Sequence, residues 1–260
     1  MNLSVDNIKA KPLVAIILAA GKGTRMQSEL PKVLHPVNGK PMLQWVVDAV
    51  RTANANRIIL VVGHGSEEVK INFSDCEYAI QEPQLGTGHA AMCCKEQLQN
   101  FHGDILVLGG DGPLIQASTI TAMMKMHRTS NAAATLATSI IQNPTGYGRI
   151  VRDENNNFEA IVEHKNATAE QLKIREIYPS YAVFQSNLLF ECLDNLQPNP
   201  LTKEYYLTEV PRMLKERGEQ IEIVNSVNPS DTLSINTPEQ LKEVEAILTA
   251  RLETEAEQPL

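Results

Sequence analysis

Small and charged residues follow the first apolar run of the chain and could bind a polyphosphate. The run Leu13–Leu18 leads into Ala19-Ala20-Gly21-Lys22-Gly23-Thr24-Arg25, and Lys32 follows shortly afterwards. Glycine and alanine let backbone N–H groups approach phosphate oxygens, while Arg25 and Lys32 supply the positive charge that phosphoryl transfer needs. The segment therefore predicts nucleotide chemistry at the end of a first strand.

Two common phosphate loops do not fit this segment. A P-loop has four residues between its first glycine and Gly-Lys-Ser/Thr, and the dinucleotide fingerprint has a third glycine where Met26 stands. A bare Gly-x-Gly after a strand is also compatible with a tight turn that binds nothing. The added Arg25 and Lys32 favour a nucleotide loop of another kind.

The elements that must position this loop alternate between strands and helices. Apolar runs of strand length occur at 13–18, 57–62, 77–80 and 105–108, with helical segments near 41–53, 88–99 and 117–128. The alternation predicts an α/β fold with a Rossmann-like, doubly wound, mostly parallel sheet. Because ligands bind beyond the carboxyl ends of such strands, we expect the glycine loop, Gln84 and Asp111 to meet at one edge.

The second half of the chain is predicted to add a hairpin and further helices. Residues 147–152 and 158–163 flank the turn-forming segment 153–157, which is typical of a β-hairpin. Helices are expected at 187–195, 205–217 and 237–253, and a strand at 221–226. The predicted domain organisation is an N-terminal extension at 1–12, one domain at 13–250 and an acidic tail at 251–260.

Composition excludes several classes of protein. The net charge is −8 without an offsetting basic run, which argues against a nucleic-acid partner. No apolar run approaches the roughly 18 residues that cross a membrane, and residues 1–12 lack a signal-peptide core, so we expect a cytoplasmic protein. The four cysteines lack the spacing of a metal site or a secreted domain and are predicted to be reduced thiols. The oligomeric state stays open.

Several blocks resemble the sugar-1-phosphate nucleotidyltransferases, and among them the bacterial N-acetylglucosamine-1-phosphate uridylyltransferases. The glycine loop is similar to the signature loop of that family, and Gln81–Ala90 looks like its uracil-recognising loop. Further similar blocks, in family order along nearly the whole chain, are Gly109–Leu114, Gly146–Ile150, Ile161–Lys165 and Glu204–Thr208. The resemblance implies the nucleotide-diphospho-sugar transferase fold, with the β-hairpin insertion forming a sugar-binding lobe.

The reaction implied by the resemblance is Mg²⁺-dependent transfer of a uridylyl group from UTP to N-acetylglucosamine-1-phosphate. Pyrophosphate would leave, and UDP-N-acetylglucosamine would serve cell-wall biogenesis. The nucleophile is already an anion, so alignment and charge neutralisation suffice without a general base. A non-catalytic UDP-sugar-binding protein of the same fold is an alternative, which the retained charged residues disfavour.

Site residues are assigned by the motifs that match the family. Arg25 would stabilise the β- and γ-phosphates, Lys32 would lie near the α-phosphate, and Asp111 and Asn236 would bind Mg²⁺. The predicted nucleotide-binding residues are Leu18, Ala19, Ala20, Gly21, Gly23, Thr24, Gln84, Gly86 and Thr87. The predicted sugar-binding residues are Gly148, Glu163, Tyr178, Glu204 and Thr208. By residue type alone, Asp111 and Asn236 could be helix caps, and the glutamates solvated charges.

Two departures from the family pattern fall near the sugar. The family usually has Ile-Asn-Thr-Gly after the Glu-His-Lys strand, with its Asn on the sugar, whereas this chain has Tyr178 followed by Pro179. Glucose-1-phosphate, N-acetylgalactosamine-1-phosphate or a modified sugar phosphate is therefore an alternative substrate. Gly109 replaces an aromatic residue that is usual two positions before Asp111, and Gly112 follows Asp111. We expect these glycines to loosen the wall of the site around Asp111.

Related two-domain bacterial enzymes carry a hexapeptide-repeat acetyltransferase domain after this region. No such repeat occurs in this sequence, so acetyl transfer is not predicted. The sequence leaves open whether the chain is a stand-alone enzyme or one domain of a longer protein.

Overall fold

Strands and helices alternate along the computed structural model, which describes residues 11–225 and 227–256. In chain order the strands are β1 (Leu13–Leu18), β2 (Pro36–Val37), β3 (Lys40–Pro41), β4 (Arg57–Val62), β5 (Glu77–Ile80), β6 (Asp104–Gly109), β7 (Ala134–Ala137), β8 (Ser139–Ile140), β9 (Gly148–Arg152), β10 (Phe158–Val162), β11 (Glu176–Tyr178), β12 (Ala182–Gln185) and β13 (Ile221–Val224). The α-helices are α1 (Met42–Thr52), α2 (Ser66–Asn72), α3 (Thr87–Met92), α4 (Lys95–Leu98), α5 (Ala117–Ser130), α6 (Ser186–Asn195), α7 (Val210–Glu216) and α8 (Pro238–Ala256).

A seven-stranded sheet with the order β13-β7-β12-β6-β1-β4-β5 forms the centre of the molecule. Strand β12 runs antiparallel to both of its neighbours, and the other pairings in this sheet are parallel. The predicted fold class, a Rossmann-like and mostly parallel sheet, is confirmed.

Strand β1 shows why the sheet is covered on both faces. Leu13, Ala15 and Ile17 pack into one hydrophobic cluster, while Val14 and Ile16 pack into a second. Since successive side chains of a strand point to opposite faces, a continuous apolar run implies helices on both sides. The helices on both faces thus explain why β1 is apolar at every position. The strand boundaries predicted at 13–18, 57–62 and 77–80 agree with those of β1, β4 and β5.

The predicted hairpin is part of a second, four-stranded antiparallel sheet with the order β10-β9-β11-β8. Strands β9 and β10 pair across the predicted turn, where Asp153 Oδ1 accepts from the Asn155 and Asn157 amides at 3.0 and 2.8 Å. Strand β11 pairs with β9 through Ile177 and Tyr178. The hairpin insertion is confirmed, and the lobe is larger than the sequence indicated.

Several element boundaries differ from the sequence-based expectations. The segment 88–99 forms two helices, α3 and α4, and the segment 205–217 is helical as α7 after a short 3₁₀ turn, Leu207–Glu209. Helix α2 and strands β7, β11 and β12 were not predicted, and β13 ends at Val224. Residue 226 and most of the predicted extension lie outside the described residues.

The last part of the predicted tail, 257–260, also lies outside the described residues, whereas 251–256 continue α8. Among the described residues, the helices are too short or too polar to cross a bilayer. The four cysteines are free thiols.

Candidate active site

Four predicted residues from three distant segments meet beyond the carboxyl ends of β1 and β6. The Lys32 ammonium lies 2.5 Å from Asp111 Oδ2 and donates to Asn236 Oδ1 at 2.8 Å. Arg25 Nη2 donates to the same Asn236 oxygen at 3.0 Å. Two cations and two oxygen ligands therefore form one cluster, which matches the set predicted to handle phosphates and metal.

The glycine loop determines where Lys32 lies. Gly23 adopts a left-handed conformation with φ +62°, and a Cβ atom there would come within 2.6 Å of Lys32 Cβ. Arg25 follows in the 3₁₀ helix Thr24–Met26, and Lys32 begins a second such turn, Lys32–Leu34. Only glycine combines this backbone conformation with such a close approach. The absence of a side chain at Gly23 thus lets Lys32 occupy its position in the cluster.

Asp111 follows β6, and its backbone carbonyl accepts from the Ile235 amide at 2.9 Å. This bond brings the segment before α8 next to the end of β6. A Cβ atom at Gly112 would lie 2.7 Å from Tyr181 Oη. The wall beside Asp111 is therefore filled by the buried Tyr181, and our expectation that Gly112 loosens it is wrong.

The hydrogen bonds around Asn236 bear on its alternative role as a helix cap. The Gln240 side chain accepts from the Asn236 amide at 2.8 Å, and the Thr237 hydroxyl accepts from the Gln240 amide at 3.3 Å. Thr237 therefore caps the start of α8, which leaves Asn236 Oδ1 to the two cations. Asn236 Nδ2 donates to the Ser234 hydroxyl at 3.1 Å, which fixes the orientation of the amide.

A cavity of about 420 Å³ opens beside this cluster and is named here the β11 cavity. Six predicted residues line it: Arg25, Asp111, Gly148, Glu163, Tyr178 and Asn236. Burial raises the pKa of Glu163, although the Thr208 hydroxyl donates to its Oε1 at 3.0 Å. Burial and the neighbouring Glu163 also raise the pKa of Tyr178, which therefore stays a neutral phenol.

A second cavity of about 290 Å³ is named here the Gln84 cavity. Predicted nucleotide-binding residues line it: Leu18, Ala20, Gly21, Gln84, Gly86 and Thr87. The Gln84 side chain donates to the Ala20 carbonyl, which joins this loop to the glycine loop. Gly86 has φ +98°, and a Cβ there would come within 2.6 Å of the Tyr205 carbonyl. The pocket is therefore built by the close approach of three loops.

Other predicted residues lie at different positions around the two cavities. Glu204 lines the Gln84 cavity, and its carboxylate lies 3.0 Å from the Lys165 ammonium, whereas it was predicted to bind the sugar. Thr208 does not line the β11 cavity, but its hydroxyl donates a hydrogen bond to Glu163, which does. Ala19, Gly23 and Thr24 shape the glycine loop without lining either cavity.

Gln81 and Tyr181 were missed by the sequence-based assignment. Gln81 is buried, lines the Gln84 cavity and donates to the Gly86 carbonyl at 2.8 Å. It lies within the block that resembles a uracil loop, so its position in that block was the available signal. Tyr181 carries no such signal, because its contact with Gly112 arises only from the pairing of β12 with β6.

The donor atoms present suit Mg²⁺. Among the described residues, His, Cys, Asp and Glu side chains form no group of three that could hold a metal. Asp111 and Asn236 nevertheless present two oxygens that converge on one cation, the Lys32 ammonium. Mg²⁺ prefers oxygen ligands and commonly takes one or two carboxylates together with substrate phosphates and water. A carboxylate and an amide oxygen at the edge of a phosphate loop fit this requirement.

Comparison with known families agrees with this geometry. Residues 15–175 match the family model of the MobA-like NTP transferase domain. The chain belongs to this family. It is a nucleotidyltransferase, and the resemblance read from the sequence is confirmed.

Curated relatives of this nucleotidyltransferase are similar over most of its length. The bifunctional protein GlmU of Clostridium novyi is 47% identical over 240 residues, which are 92% of this chain and 52% of that protein. The bifunctional protein GlmU of Geobacillus thermodenitrificans is 46% identical over 239 residues, with the same coverage. The chain thus spans about half the length of the curated relatives it matches.

Solved structures share the fold of the nucleotidyltransferase. A crystal structure of UDP-glucose pyrophosphorylase complexed with UDP-glucose superposes with a TM-score of 0.74 at 17% identity, covering 92% of this chain and 99% of that one. The apo form of UDP-glucose pyrophosphorylase gives a TM-score of 0.75. At this identity the likeness concerns the fold, which is that of the nucleotide-diphospho-sugar transferases.

Proposed function

We propose that the protein transfers the uridylyl group of UTP to N-acetylglucosamine-1-phosphate, forming UDP-N-acetylglucosamine and pyrophosphate. The observation that carries the proposal is the cluster of Arg25, Lys32, Asp111 and Asn236 beside the β11 cavity. Its Arg25 ends the glycine loop, which also lines the Gln84 cavity. A nucleotide base in one cavity and a sugar in the other would place their phosphates at these charges. The similarity to bifunctional GlmU proteins supports the same substrates.

The side chains of this chain supply alignment and charge in the proposed reaction. A phosphate oxygen of the sugar phosphate forms a bond to the α-phosphorus of UTP while the bond to the bridging oxygen of pyrophosphate breaks. Arg25 neutralises charge on the departing pyrophosphate, and Lys32 neutralises charge around the α-phosphate. No proton has to move, which agrees with a cluster whose members are cations and oxygen ligands.

The proposal includes Mg²⁺ as a cofactor held by Asp111 and Asn236. A bound Mg²⁺ would screen the negative charges of the triphosphate and the sugar phosphate, which otherwise repel each other. Gln84, Gly86 and Thr87 would bind the uracil, because an amide side chain beside a glycine offers both a donor and an acceptor at close range. A cytoplasmic location is part of the same proposal.

The identity of Tyr178 favours a second candidate, a uridylyltransferase for another sugar-1-phosphate. The phenol is 5% exposed and lines the β11 cavity opposite Glu163, at a position where an amide side chain is usual in the family. A phenol is larger than an amide and offers one donor, so it changes both the space and the hydrogen bonds available to the sugar. The two candidates share the chemistry and differ in the sugar.

Pyrophosphate release from UTP and Mg²⁺ tests both candidates in one assay. The wild type and Lys32→Met are each assayed with three substrates: N-acetylglucosamine-1-phosphate, glucose-1-phosphate and N-acetylgalactosamine-1-phosphate. We expect preference for the N-acetylglucosamine substrate and a loss of turnover of roughly 100- to 1000-fold in Lys32→Met, since such residues act on transition-state charge. Lys173→Met, which removes an exposed ion pair with Glu170, should behave as wild type.

The outcomes separate the candidates. Preference for glucose-1-phosphate or N-acetylgalactosamine-1-phosphate would support uridylyl transfer and favour the second candidate, with that sugar phosphate as the substrate. Absence of pyrophosphate release with every sugar, together with retained UDP-sugar binding, would refute the proposed activity.

A further inference from the structure

An ion pair between the partly exposed Arg251 and the buried Asp231, outside both cavities, joins the C-terminal helix to the segment that carries Asn236. Asp231 is 1% exposed and lies in the 3₁₀ helix Pro229–Thr232, five residues before Asn236. Arg251, in α8, approaches Asp231 Oδ1 to 2.5 Å and donates to the Leu114 carbonyl at 3.2 Å. A charge so well shielded from water depends on its partners.

The same carboxylate also binds the segment that follows Asp111. Gln116 Nε2 donates to Asp231 Oδ2 at 2.6 Å, and Leu114, two residues earlier, accepts from Arg251. Both members of the ion pair therefore bind the segment 112–116, Asp231 through Gln116 and Arg251 through the Leu114 carbonyl. The segments 112–116 and 229–232 lead directly from Asp111 and to Asn236.

Tyr181 extends the connection toward the cluster. Its hydroxyl donates to the Asp231 carbonyl at 3.0 Å, and its ring end fills the space beside Gly112. Burial, together with the charges of Asp111 and Asp231, raises the pKa of Tyr181, so the hydroxyl keeps its proton and remains a donor. The Ile235 amide closes the frame by donating to the Asp111 carbonyl.

We propose that Arg251 and Asp231 are positioning residues that set the separation between the Asp111 carboxylate and the Asn236 amide oxygen. The inference rests on the proposed function to the extent that these two oxygens bind the metal. Without Arg251, the Asp231 carboxylate is buried without a cation, and the segment 231–236 relaxes toward water. The Asn236 oxygen then no longer shares a cation with Asp111.

The test compares four purified proteins, the wild type and three variants of the 260-residue chain. Arg251→Met keeps the apolar stem without the charge, Arg251→Lys restores a cation, and Arg51→Met removes an exposed ion pair with Asp75 as a matched control. Amide hydrogen exchange of residues 231–236 is measured without ligand. Binding of Mn²⁺, used as a spectroscopic probe for Mg²⁺, is measured by electron paramagnetic resonance in the presence of UTP.

In Arg251→Met we expect exchange in 231–236 to become faster and Mn²⁺ binding to weaken, each by about tenfold or more, as for coupled neighbouring residues. The Mg²⁺ concentration for half-maximal pyrophosphate release should rise by a similar factor. Exchange around Gln84 should stay unchanged, Arg251→Lys should recover most of the loss, and Arg51→Met should match the wild type.

A lower melting temperature in Arg251→Met with unchanged exchange and unchanged Mn²⁺ binding would show a purely structural pair and overturn the inference. If Arg251→Met does not fold, the double variant Asp231→Asn with Arg251→Met removes the buried charge and keeps an acceptor for Gln116. Wild-type exchange and Mn²⁺ binding in that variant would likewise overturn it. Should the wild type release no pyrophosphate, the proposed function fails, while exchange and Mn²⁺ binding still decide on the positioning role.

Discussion

At the scale of single residues, one ammonium group, that of Lys32, contacts both of the side-chain oxygens that are proposed to bind Mg²⁺. Lys32 is only 12% exposed, so its pairing with Asp111 is weakly screened by water. The ion pair with Asp111 holds the positive charge of Lys32 on the side of the cluster that faces the glycine loop. The rate of the reaction should therefore respond to displacements of Lys32 that are too small to unfold the protein.

Gly23→Ala is predicted to produce such a displacement. The new Cβ would lie 2.6 Å from Lys32 Cβ, so the loop or the lysine has to move, and turnover should fall roughly 10- to 100-fold. Gly218→Ala is the matched control, because Gly218 has a similar φ of +81° and open space around it. Gly218→Ala should lose about 1–2 kcal/mol of stability in denaturant unfolding from its positive φ alone, and Gly23→Ala at least as much, because its Cβ also meets Lys32. Equal turnover in the two variants would show that the contact with Lys32 does not matter.

The residues of the charged cluster could be predicted from sequence, because each lies in a short motif. Arg25 and Lys32 stand at fixed distances from the glycines, and Asp111 follows an apolar strand. Tyr181 and Asp231 could not be predicted in the same way. Their contacts with Gly112 and Arg251 join segments far apart in the chain, and only the folded sheet brings these together.

At the scale of elements, strong periodicity in the sequence predicted the long strands, whereas the short or interrupted elements were not predicted. Strand β7, Ala-Thr-Leu-Ala, lacks the β-branched run that marks β1 and β4, and its burial comes from its place between β13 and β12 in the sheet. Strand β12 is buried too, but it enters the sheet antiparallel, which an alternating strand and helix pattern does not indicate. The parallel half was therefore predictable and the return of the chain through β12 was not.

Glu163 directly follows β10 of the second sheet, and burial there raises the pKa of its carboxyl group. A raised pKa means that folding favours the protonated acid, so the ionised form lowers stability at pH values above that pKa. Glu163→Gln is therefore predicted to raise the melting temperature near neutral pH. The gain should shrink as the pH falls through the raised pKa toward the usual range of glutamate.

The same substitution should weaken binding of the sugar phosphate if the carboxylate accepts a hydrogen bond from the sugar. We expect KM for the sugar phosphate to rise by about tenfold while KM for UTP stays near the wild-type value. Glu170→Gln, on an exposed ion pair with Lys173, serves as the control in both melting and kinetics. A lower melting temperature for Glu163→Gln at neutral pH would contradict the assigned effect of burial.

At the scale of the whole molecule, a protein with a net charge of −8 holds two cations, Arg25 and Lys32, beside the β11 cavity. The net negative charge of the protein disfavours polyanions in general, while the local field at Arg25 and Lys32 favours a small anion that reaches them. The glycine loop lines both the β11 cavity and the Gln84 cavity, so nucleotide and sugar would meet on one loop. Ligand binding should then stabilise the fold as a unit.

Thermal unfolding with UTP and Mg²⁺ measures this coupling. At about 100 times Kd a ligand stabilises the native state by about 2.7 kcal/mol, which in a domain of this size corresponds to a rise in melting temperature of roughly 5–10 °C. Asp111→Asn keeps the shape of the side chain and removes a negative charge near the phosphates, so UTP alone should stabilise it at least as much as the wild type, while added Mg²⁺ should give a smaller further rise. Asp75→Asn, at an exposed ion pair, should retain the full increment. An undiminished Mg²⁺ increment in Asp111→Asn would place the metal elsewhere on the protein, because a hard divalent cation loses affinity when a carboxylate ligand becomes an amide.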